Sequence, residues 1–197
     1  MLCQLQLPQT GFHLMADNPV AKSFWGKVKL EAATAMYYFH KGEKMQSLVH
    51  QLKYKGKKEV GITLGKLFAA KLGESTSYQN CEVIAPVPLH ASKERSRGFN
   101  QSTVIAQGMA EVLKKEVVPD LLMRVKATST QTKKHRYERF ENTNEVFVLN
   151  DKYKNYKNIL LVDDVITTGS TIAACADVLL EIPGAKVCVG ALAFAHK

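Results

Sequence analysis

Two adjacent carboxylates, Asp163 and Asp164, follow a strongly apolar run and precede a turn that is rich in threonine, serine and glycine. Backbone N–H groups at the start of a helix have no partner within that helix, so a helix beginning at this turn would offer them to a phosphate. Gly169 allows close approach of the backbone, and the neighbouring hydroxyls add hydrogen-bond donors. The residues assigned to this phosphate loop are Val165, Thr167, Thr168, Gly169, Ser170 and Thr171.

The two acids need a different ligand, because carboxylates would repel a phosphate. Carboxylate oxygens bind sugar hydroxyls and hard cations such as Mg²⁺. A phosphate loop beside two carboxylates therefore predicts a site for ribose 5-phosphate, with Asp163 and Asp164 on the ribose hydroxyls. The alternative is that Ser170 or Thr171 only caps a helix and that the acids lie in a solvated turn. The agreement between strand, acids and turn favours the binding site.

Positive charge is concentrated in two polar segments of a chain whose formal net charge is +9. The first segment contains Lys93, Arg95 and Arg97, and the second, residues 124–139, contains Arg124, Lys126, Lys133, Lys134, Arg136 and Arg139. A basic protein can bind nucleic acid, bind a small polyanion, or simply be soluble and basic. The concentration of charge in two segments favours a polyanion site and leaves nucleic acid open.

Hydrophobic periodicity indicates the elements that must position these residues. Helical spacing predicts helices over residues 45–52, 60–72, 104–115 and 172–180. Apolar runs predict strands over 83–87, 121–125, 147–149, 157–162 and 187–194. Alternating strands and helices are typical of an α/β fold with a mainly parallel sheet, in which ligands bind at the carboxyl ends of the strands. Residues 90–98, 127–145 and 163–170 are predicted to be loops at those ends.

Several motifs resemble one known family. The segment Val162–Thr171 closely resembles the motif with which type I phosphoribosyltransferases bind phosphoribosyl pyrophosphate (PRPP). Ala85–His90, Arg95–Gln101 and the Leu-Lys-Tyr-Lys-Gly segment at 52–56 resemble blocks of ComF-like proteins. Thr130, Gln131, Arg139, Asn142 and Phe147 resemble a further string of that family. The resemblance covers nearly the whole chain from Leu7, and it implies a type I phosphoribosyltransferase fold, a mainly parallel sheet flanked by helices with a small N-terminal hood.

The resemblance also implies a division of the chain and roles for the basic segments. Residues 1–75 would form the hood and a helical region, and residues 76–197 the phosphoribosyltransferase core. The pyrophosphate-binding residues would be Ser92, Lys93, Arg95 and Arg97. A flexible lid over 127–145 would contribute Lys133, Arg136 and Arg139. For both segments, a solvated basic loop without a catalytic role stays open as the alternative. Trp25 is predicted to pack in the core or hood, and Tyr37–Phe39 in a strand or the hood.

The reaction implied by the resemblance displaces pyrophosphate from C1 of PRPP with a nitrogen nucleophile. Asp163 and Asp164 would be the catalytic residues, and Mg²⁺ would bind together with PRPP and with these carboxylates. The alternative is a competence-related factor in single-stranded DNA uptake that uses the fold to bind nucleotide or nucleic acid without turnover. A third reading is a regulator that senses PRPP. The expected partners are PRPP or another phosphoribosyl compound and single-stranded DNA or competence proteins, with a homodimer left open.

The cysteines and the hydropathy of the chain bear on metal content and location. Cys3, Cys81, Cys175 and Cys188 are not at metal-binding Cys-x-x-Cys spacing and are typical of reduced thiols in a cytoplasmic protein. Many ComF-like proteins begin with a four-cysteine zinc ribbon, of which residues 1–10 resemble only a remnant with the last cysteine. One cysteine cannot complete a tetrahedral site, so we predict no zinc. The apolar runs are too short to span a bilayer, and a secretory signal is not indicated.

Overall fold

The computed structural model describes residues 7–126 and 145–195. Its strands are β1 (Ala32–Tyr38), β2 (Val83–Pro86), β3 (Glu116–Val117), β4 (Leu122–Lys126), β5 (Glu145–Leu149), β6 (Asn158–Ile166) and β7 (Lys186–Phe194). Five of them form a sheet in the order β1-β7-β6-β2-β3, and every neighbouring pair is parallel. The strands β4 and β5 pair with each other in a small antiparallel sheet. The architecture is that of a type I phosphoribosyltransferase fold, as predicted.

Helices cover both faces of the five-stranded sheet. They are α1 (Pro19–Lys22), α2 (Lys44–Tyr54), α3 (Lys58–Leu72), α4 (Thr76–Gln79), α5 (Ala91–Arg97), α6 (Gln101–Leu113) and α7 (Ser170–Leu180). Short 3₁₀ turns occur at Phe12–Leu14 and Asp151–Tyr153. The helices predicted from periodicity correspond to α2, α3, α6 and α7 and are confirmed. Within the described ranges, the structure contains no helix with the length and apolarity that a bilayer crossing needs.

Strand β6 is buried on both faces, which explains its continuous apolar sequence. Ile159 and Leu161 belong to the core on the α7 side of the sheet, and Leu160 and Val162 belong to the core on the α2, α3 and α6 side. Because successive side chains of a strand point to opposite faces, a strand covered on both sides must be apolar at every position. This arrangement sets the position at which polar residues first become tolerable along β6.

Strand β6 is longer than the sequence predicts. The apolar run predicts an end at Val162, whereas parallel pairing with β7 continues to Ile166, opposite Phe194. On its other side β6 loses its partner earlier, because β2 ends at Pro86, which lies opposite Val162. Residues 163–166 are therefore strand and not loop, and one of their edges is free of sheet pairing to β2.

The segment 90–98 is also regular, contrary to the loop predicted there. It contains α5, which begins after His90 and ends before Gly98. The His90 ring nitrogen Nδ1 accepts a hydrogen bond from the backbone N–H of Ser92 at 3.0 Å, and Gly98 ends the helix with a positive φ of 78°. Capping at both ends thus stabilises a single short helix that hydrophobic periodicity could not reveal, because none of its residues is buried.

The N-terminal region contributes directly to the sheet. Tyr37 and Tyr38 lie in β1, in agreement with the first of the two alternatives, a strand or the hood. Strand β1 pairs in parallel with β7 at the edge of the sheet. The prediction for Trp25 is wrong, since 64% of its surface is exposed. Its neighbour Phe24 occupies the core position instead, at 1% exposure. The division of the chain at residue 75 stays a prediction.

Helices α3 and α6 approach each other closely through two glycines. A methyl group on Gly65 would come within 2.3 Å of the Ile105 carbonyl oxygen, and one on Gly108 within 2.2 Å of the Ile62 carbonyl oxygen. We expect Gly108→Ala to lower the free energy of unfolding by about 1–3 kcal/mol. The added methyl group would collide with backbone atoms, which cannot move aside as a flexible side chain can. Urea unfolding measures this change.

Gly73→Ala is the matched control for this prediction. A methyl group on Gly73 would meet carbonyl oxygens only at 3.5 Å, and the residue has an ordinary helical φ of −61°. We expect its effect to stay within about 1 kcal/mol. Equal effects of the two substitutions would show that the helices can separate without cost.

Candidate functional site

The first predicted acid, Asp163, is fixed by the start of α6. Its Oδ1 accepts a hydrogen bond from the Ser102 hydroxyl at 3.0 Å and another from the backbone N–H of Asp164 at 2.8 Å. Asn100 caps α6 by accepting from the Ser102 backbone N–H, and its amide donates to the Val87 carbonyl oxygen at 2.9 Å. A chain of hydrogen bonds through Asn100 and Ser102 therefore connects the residue after β2 to Asp163 on the open edge of β6.

The second acid, Asp164, forms an ion pair with Lys53. The Lys53 Nζ lies 2.7 Å from the Asp164 Oδ2, and the two side chains are only 23% and 11% exposed. Lys53 is in the last turn of α2, and its segment stood out in the sequence only through the family resemblance. Neither Lys53 nor Ser102 is predicted as a site residue. Charge pairing between distant segments leaves no periodic signal in a sequence, so only the fold brings these groups together.

Burial and the adjacent acid shift the titration of Asp163. Burial, and next the charge of Asp164, raise the pKa of Asp163 from its ordinary value of 3.8 to about 7. The hydrogen bonds from the Asp164 backbone and from Ser102, and the charge of Lys53, act in the opposite direction. Near neutral pH this carboxyl group can therefore accept hydrogen bonds when ionised or donate one when protonated.

Most of the predicted phosphate loop lies at the junction of β6 and α7, with Thr167, Thr168 and Gly169 between the two elements and Ser170 and Thr171 at the start of α7. Val165 does not belong to the loop, because it pairs with Ala193 within β6. Gly169 directly precedes α7 with a positive φ of 74°, and a methyl group on it would come within 2.8 Å of the Phe24 ring. Thr167 and Thr168 are exposed, and the hydroxyl oxygens of Thr168 and Ser170 are 3.0 Å apart. The loop thus presents hydroxyls and the amino end of an eleven-residue helix to solvent, which is the arrangement that binds phosphate.

The N-terminal segment supports this loop from behind. Asn18 is buried, and its side-chain amide donates to the Ala33 carbonyl oxygen of β1 at 2.8 Å, while its oxygen accepts from the backbone N–H of Val20 at 2.9 Å. This anchor places Phe24 against Gly169. Lys27 then reaches the loop itself, and its Nζ donates to the Thr168 carbonyl oxygen at 3.0 Å. The sequence gives no indication of these contacts, because they join segments that are far apart along the chain.

A cleft of about 500 Å³ lies beside the acids, between the end of α2 and α5. Its lining consists of Lys53, Tyr54, Gly56, Ser92, Lys93, Ser96 and Arg97. Three of the four residues predicted to bind pyrophosphate therefore line one space, whereas Arg95 is exposed on α5 and does not belong to this set. Lys53 belongs both to the cleft and to the ion pair with Asp164, so it connects the basic and acidic parts of the site.

The site can be tested for its fit to Mg²⁺. Among the described residues, no group of three or more histidine, cysteine, aspartate or glutamate side chains is placed to hold a metal ion. Two adjacent carboxylates nevertheless fit a cation that takes its other ligands from water and from bound phosphates. Asp163 and Asp164 are thus suitable for a cation that arrives with a polyphosphate, and not for one held by protein alone.

Some predicted residues lie outside the described ranges. These are Lys133, Lys134, Arg136 and Arg139 of the predicted lid, together with Cys3. Their assignments stay predictions, and so does the absence of zinc. Cys81, Cys175 and Cys188 are free thiols buried in the core. They are placed as structural residues, and burial raises the pKa of Cys175 well above its ordinary value.

Comparisons with known proteins find a matching domain family and several similar proteins. The family model of the phosphoribosyl transferase domain matches residues 100–197. The DNA utilization protein YhgH of Salmonella typhimurium is 35% identical over 148 residues, which are 74% of this chain and 65% of that protein. Competence protein F of Haemophilus influenzae is 28% identical over 160 residues, 78% of this chain and 69% of that protein. Competence protein ComFC of Streptococcus pneumoniae is 34% identical over 123 residues, 62% of this chain and 52% of that protein. The chain thus spans slightly less than two thirds of the YhgH protein.

The raised pKa of Asp163 predicts a pH-dependent stability. Because its folded-state pKa of about 7 lies above the ordinary value of 3.8, the contribution of Asp163 to stability is fully present below pH 3.8 and is lost as the pH rises through about 7. Asp163→Asn removes the titrating group. We therefore expect the melting temperature of the variant, relative to the unsubstituted protein, to be higher at pH 8 than at pH 5.

Thermal unfolding by circular dichroism across this pH range measures the effect. Asp151→Asn is the control, because the Asp151 side chain is 80% exposed. Its melting temperature should differ from that of the unsubstituted protein by the same amount at both pH values. Parallel pH profiles for Asp163→Asn and the unsubstituted protein would contradict the assignment.

Proposed function

The chain belongs to the ComF family of phosphoribosyltransferase-like proteins, and on that premise we propose that it binds PRPP and transfers the phosphoribosyl group to a nitrogen nucleophile with release of pyrophosphate. The observation that carries the proposal is the continuity of three chemically distinct surfaces. A hydroxyl-lined helix start, a pair of carboxylates and a basic cleft follow one another around the end of β6. These surfaces match the 5′ phosphate, the ribose hydroxyls and the diphosphate of PRPP in that order.

Each surface has a role in this reaction. The loop 167–171 would hold the 5′ phosphate, and Asp163 and Asp164 would accept hydrogen bonds from the ribose hydroxyls. The bond between C1 and the diphosphate oxygen breaks ahead of the bond that the nucleophile's nitrogen forms to C1, so positive charge develops on the ribose and negative charge on the diphosphate. The nitrogen then releases its proton to water. The carboxylates would offset the positive charge on the ribose, and Lys93 and Arg97 would stabilise the negative charge on the diphosphate.

Mg²⁺ is the cofactor of this proposal. Asp163 and Asp164 would hold it together with PRPP oxygens, and when bound it supplies neutralisation of the leaving group. The nucleophile is not indicated by any described contact, and its selection by residues 10–45 of the predicted hood stays a prediction. A cytoplasmic location and a homodimer stay predictions as well.

PRPP binding can be tested by thermal shift. PRPP with Mg²⁺ should raise the melting temperature by roughly 5 °C at saturating ligand, because a ligand that binds only the folded state stabilises it. The double substitution Asp163→Asn with Asp164→Asn should abolish the shift, and Asp151→Asn should retain it. A ligand that causes no shift in the unsubstituted protein would count against the proposal. Pyrophosphate release in the presence of a panel of bases and amines then separates a transferase from a sensor of PRPP.

We propose binding of single-stranded DNA as a second candidate function, because an exposed aromatic residue lies beside the phosphate loop. Trp25 is 64% exposed, and the Lys22 ammonium lies 5.7 Å from its ring centroid. It directly follows Phe24, which packs on Gly169, and Lys27 contacts Thr168. An exposed indole flanked by lysines and a phosphate loop is the combination that stacks a base and holds its backbone. Relatives of the chain are named for DNA utilization and competence.

Trp25 is the only tryptophan in the chain, so its fluorescence reports directly on this surface. Oligothymidylate should quench it, and the apparent affinity should fall as salt rises. Trp25→Ala should weaken binding of a dye-labelled oligonucleotide, measured by anisotropy, by roughly 5-fold to 100-fold if one base stacks there. Leu67→Ala removes another exposed apolar side chain, 50% exposed on α3, and should change nothing. Binding without quenching would place the nucleic acid elsewhere.

A further inference from the structure

Lys53 belongs both to the acidic part of the site, which suits a cation or hydroxyl donors, and to the basic cleft, which suits an anion. Its ammonium neutralises Asp164 at 2.7 Å, and Lys53 is also one of the residues that line the basic cleft. We propose that Lys53 is a diphosphate ligand that is held on Asp164 until the diphosphate arrives, so that binding of the diphosphate frees Asp164 for a divalent cation or a ribose hydroxyl. This inference rests on the proposed binding of PRPP and assigns a new residue to that site.

The lining of the cleft shows why Lys53 would move. Lys53, Lys93 and Arg97 bring three cationic residues to the lining of one space, and Ser96 adds a hydroxyl group. None of the described residues that line this space carries a carboxylate. Cations that converge on an open cleft without an anion in its lining attract a polyanion, and a diphosphate offers several acceptor oxygens at once. Lys53 can therefore exchange one anionic partner for another without being left unpaired.

The end of α2, which carries Lys53, is held by contacts of the next residue. The next residue, Tyr54, has its ring 5.2 Å from the guanidinium carbon of Arg97, and Arg97 also donates to the Gln101 side-chain oxygen at 2.8 Å. These contacts tie the end of α2 to α5 and to the start of α6. The cleft is thus assembled before any ligand binds, and the lysine side chain is the flexible part of it.

The ion pair also restricts what Asp164 can bind. The Lys53 ammonium lies 2.7 Å from the Asp164 Oδ2, and a cation bound to the same oxygen would be repelled by that ammonium. A divalent cation alone must therefore displace Lys53 from its partner. A diphosphate in the cleft removes that obstacle, because it accepts the lysine's hydrogen bonds. Diphosphate and cation would then favour each other's binding through Lys53.

The substitution Lys53→Met tests the inference because it should move two affinities in opposite directions. Without any diphosphate, Mn²⁺ used as the spectroscopic probe should bind the variant at least about fivefold more tightly than the unsubstituted protein. Pyrophosphate in metal-free buffer should bind the variant at least about fivefold more weakly. Electron paramagnetic resonance measures the first affinity and calorimetry the second. General damage to the site would weaken both.

Three further variants locate the effect. Lys55→Met alters an exposed lysine of the same turn and should leave both affinities unchanged. Lys53→Arg keeps the positive charge, so it should retain the weak Mn²⁺ binding of the unsubstituted protein. This variant also tests the inference if Lys53→Met fails to fold. Adding Asp164→Asn to Lys53→Met should remove the gain in Mn²⁺ affinity. If the gain persists, the cation binds elsewhere and the inference is overturned.

The outcomes separate this inference from the proposed function. If PRPP stabilises the unsubstituted protein but Lys53→Met leaves both affinities unchanged, Lys53 is only a structural counter-ion and the inference alone fails. If neither PRPP nor pyrophosphate binds the unsubstituted protein, the proposed function fails and the inference fails with it. Looser Mn²⁺ binding in Lys53→Met would likewise overturn the exchange.

Discussion

The parallel pairing of β6 between β2 and β7 is the constraint on which the rest of the molecule depends. Burial on both faces requires an apolar strand up to Val162, and the end of β2 at Pro86 then leaves one edge of β6 without a strand partner. Polar residues become tolerable only from that position, where Asp163 and Asp164 lie. The site thus lies where β6 is no longer buried between neighbouring strands and helices. Helices can place polar side chains at the open edge of the strand there.

Two carboxylates in sequence on a strand create an electrostatic cost that the surrounding elements offset. Ser102 at the start of α6 donates to one acid, and Lys53 at the end of α2 pairs with the other. The pKa of Asp163 remains raised in spite of these contacts, so the site is poised to gain from a ligand that brings positive charge or hydroxyl donors. A stable core would exclude such a pair, and its retention here is consistent with a binding function.

The two proposed functions use neighbouring surfaces of the same loop. The acids and the basic cleft suit a phosphorylated ribose with a diphosphate. Phe24 packs on Gly169, and the exposed Trp25 that follows it, with its lysines, suits a base and a backbone phosphate. Because both surfaces depend on a phosphate loop, a nucleotide and PRPP could compete for it. The fold therefore accommodates either function without a change in its core.

The fold class, the candidate phosphate loop and the candidate acids could be predicted from the sequence alone, because these features depend on local order. An apolar strand, two acids and a Thr/Gly/Ser turn into a helix are contiguous in Val162–Thr171, so short-range chemistry suffices to predict them. The alternation of strands and helices predicted an α/β fold with a mainly parallel sheet, and the family resemblance implied that this fold is of the type I kind. Contacts between distant segments could be known only from the folded chain. Only folding could pair Lys53 with Asp164, join Ser102 to Asp163, bury Phe24 and expose Trp25, because those outcomes depend on what each side chain meets after packing and not on its neighbours in the chain.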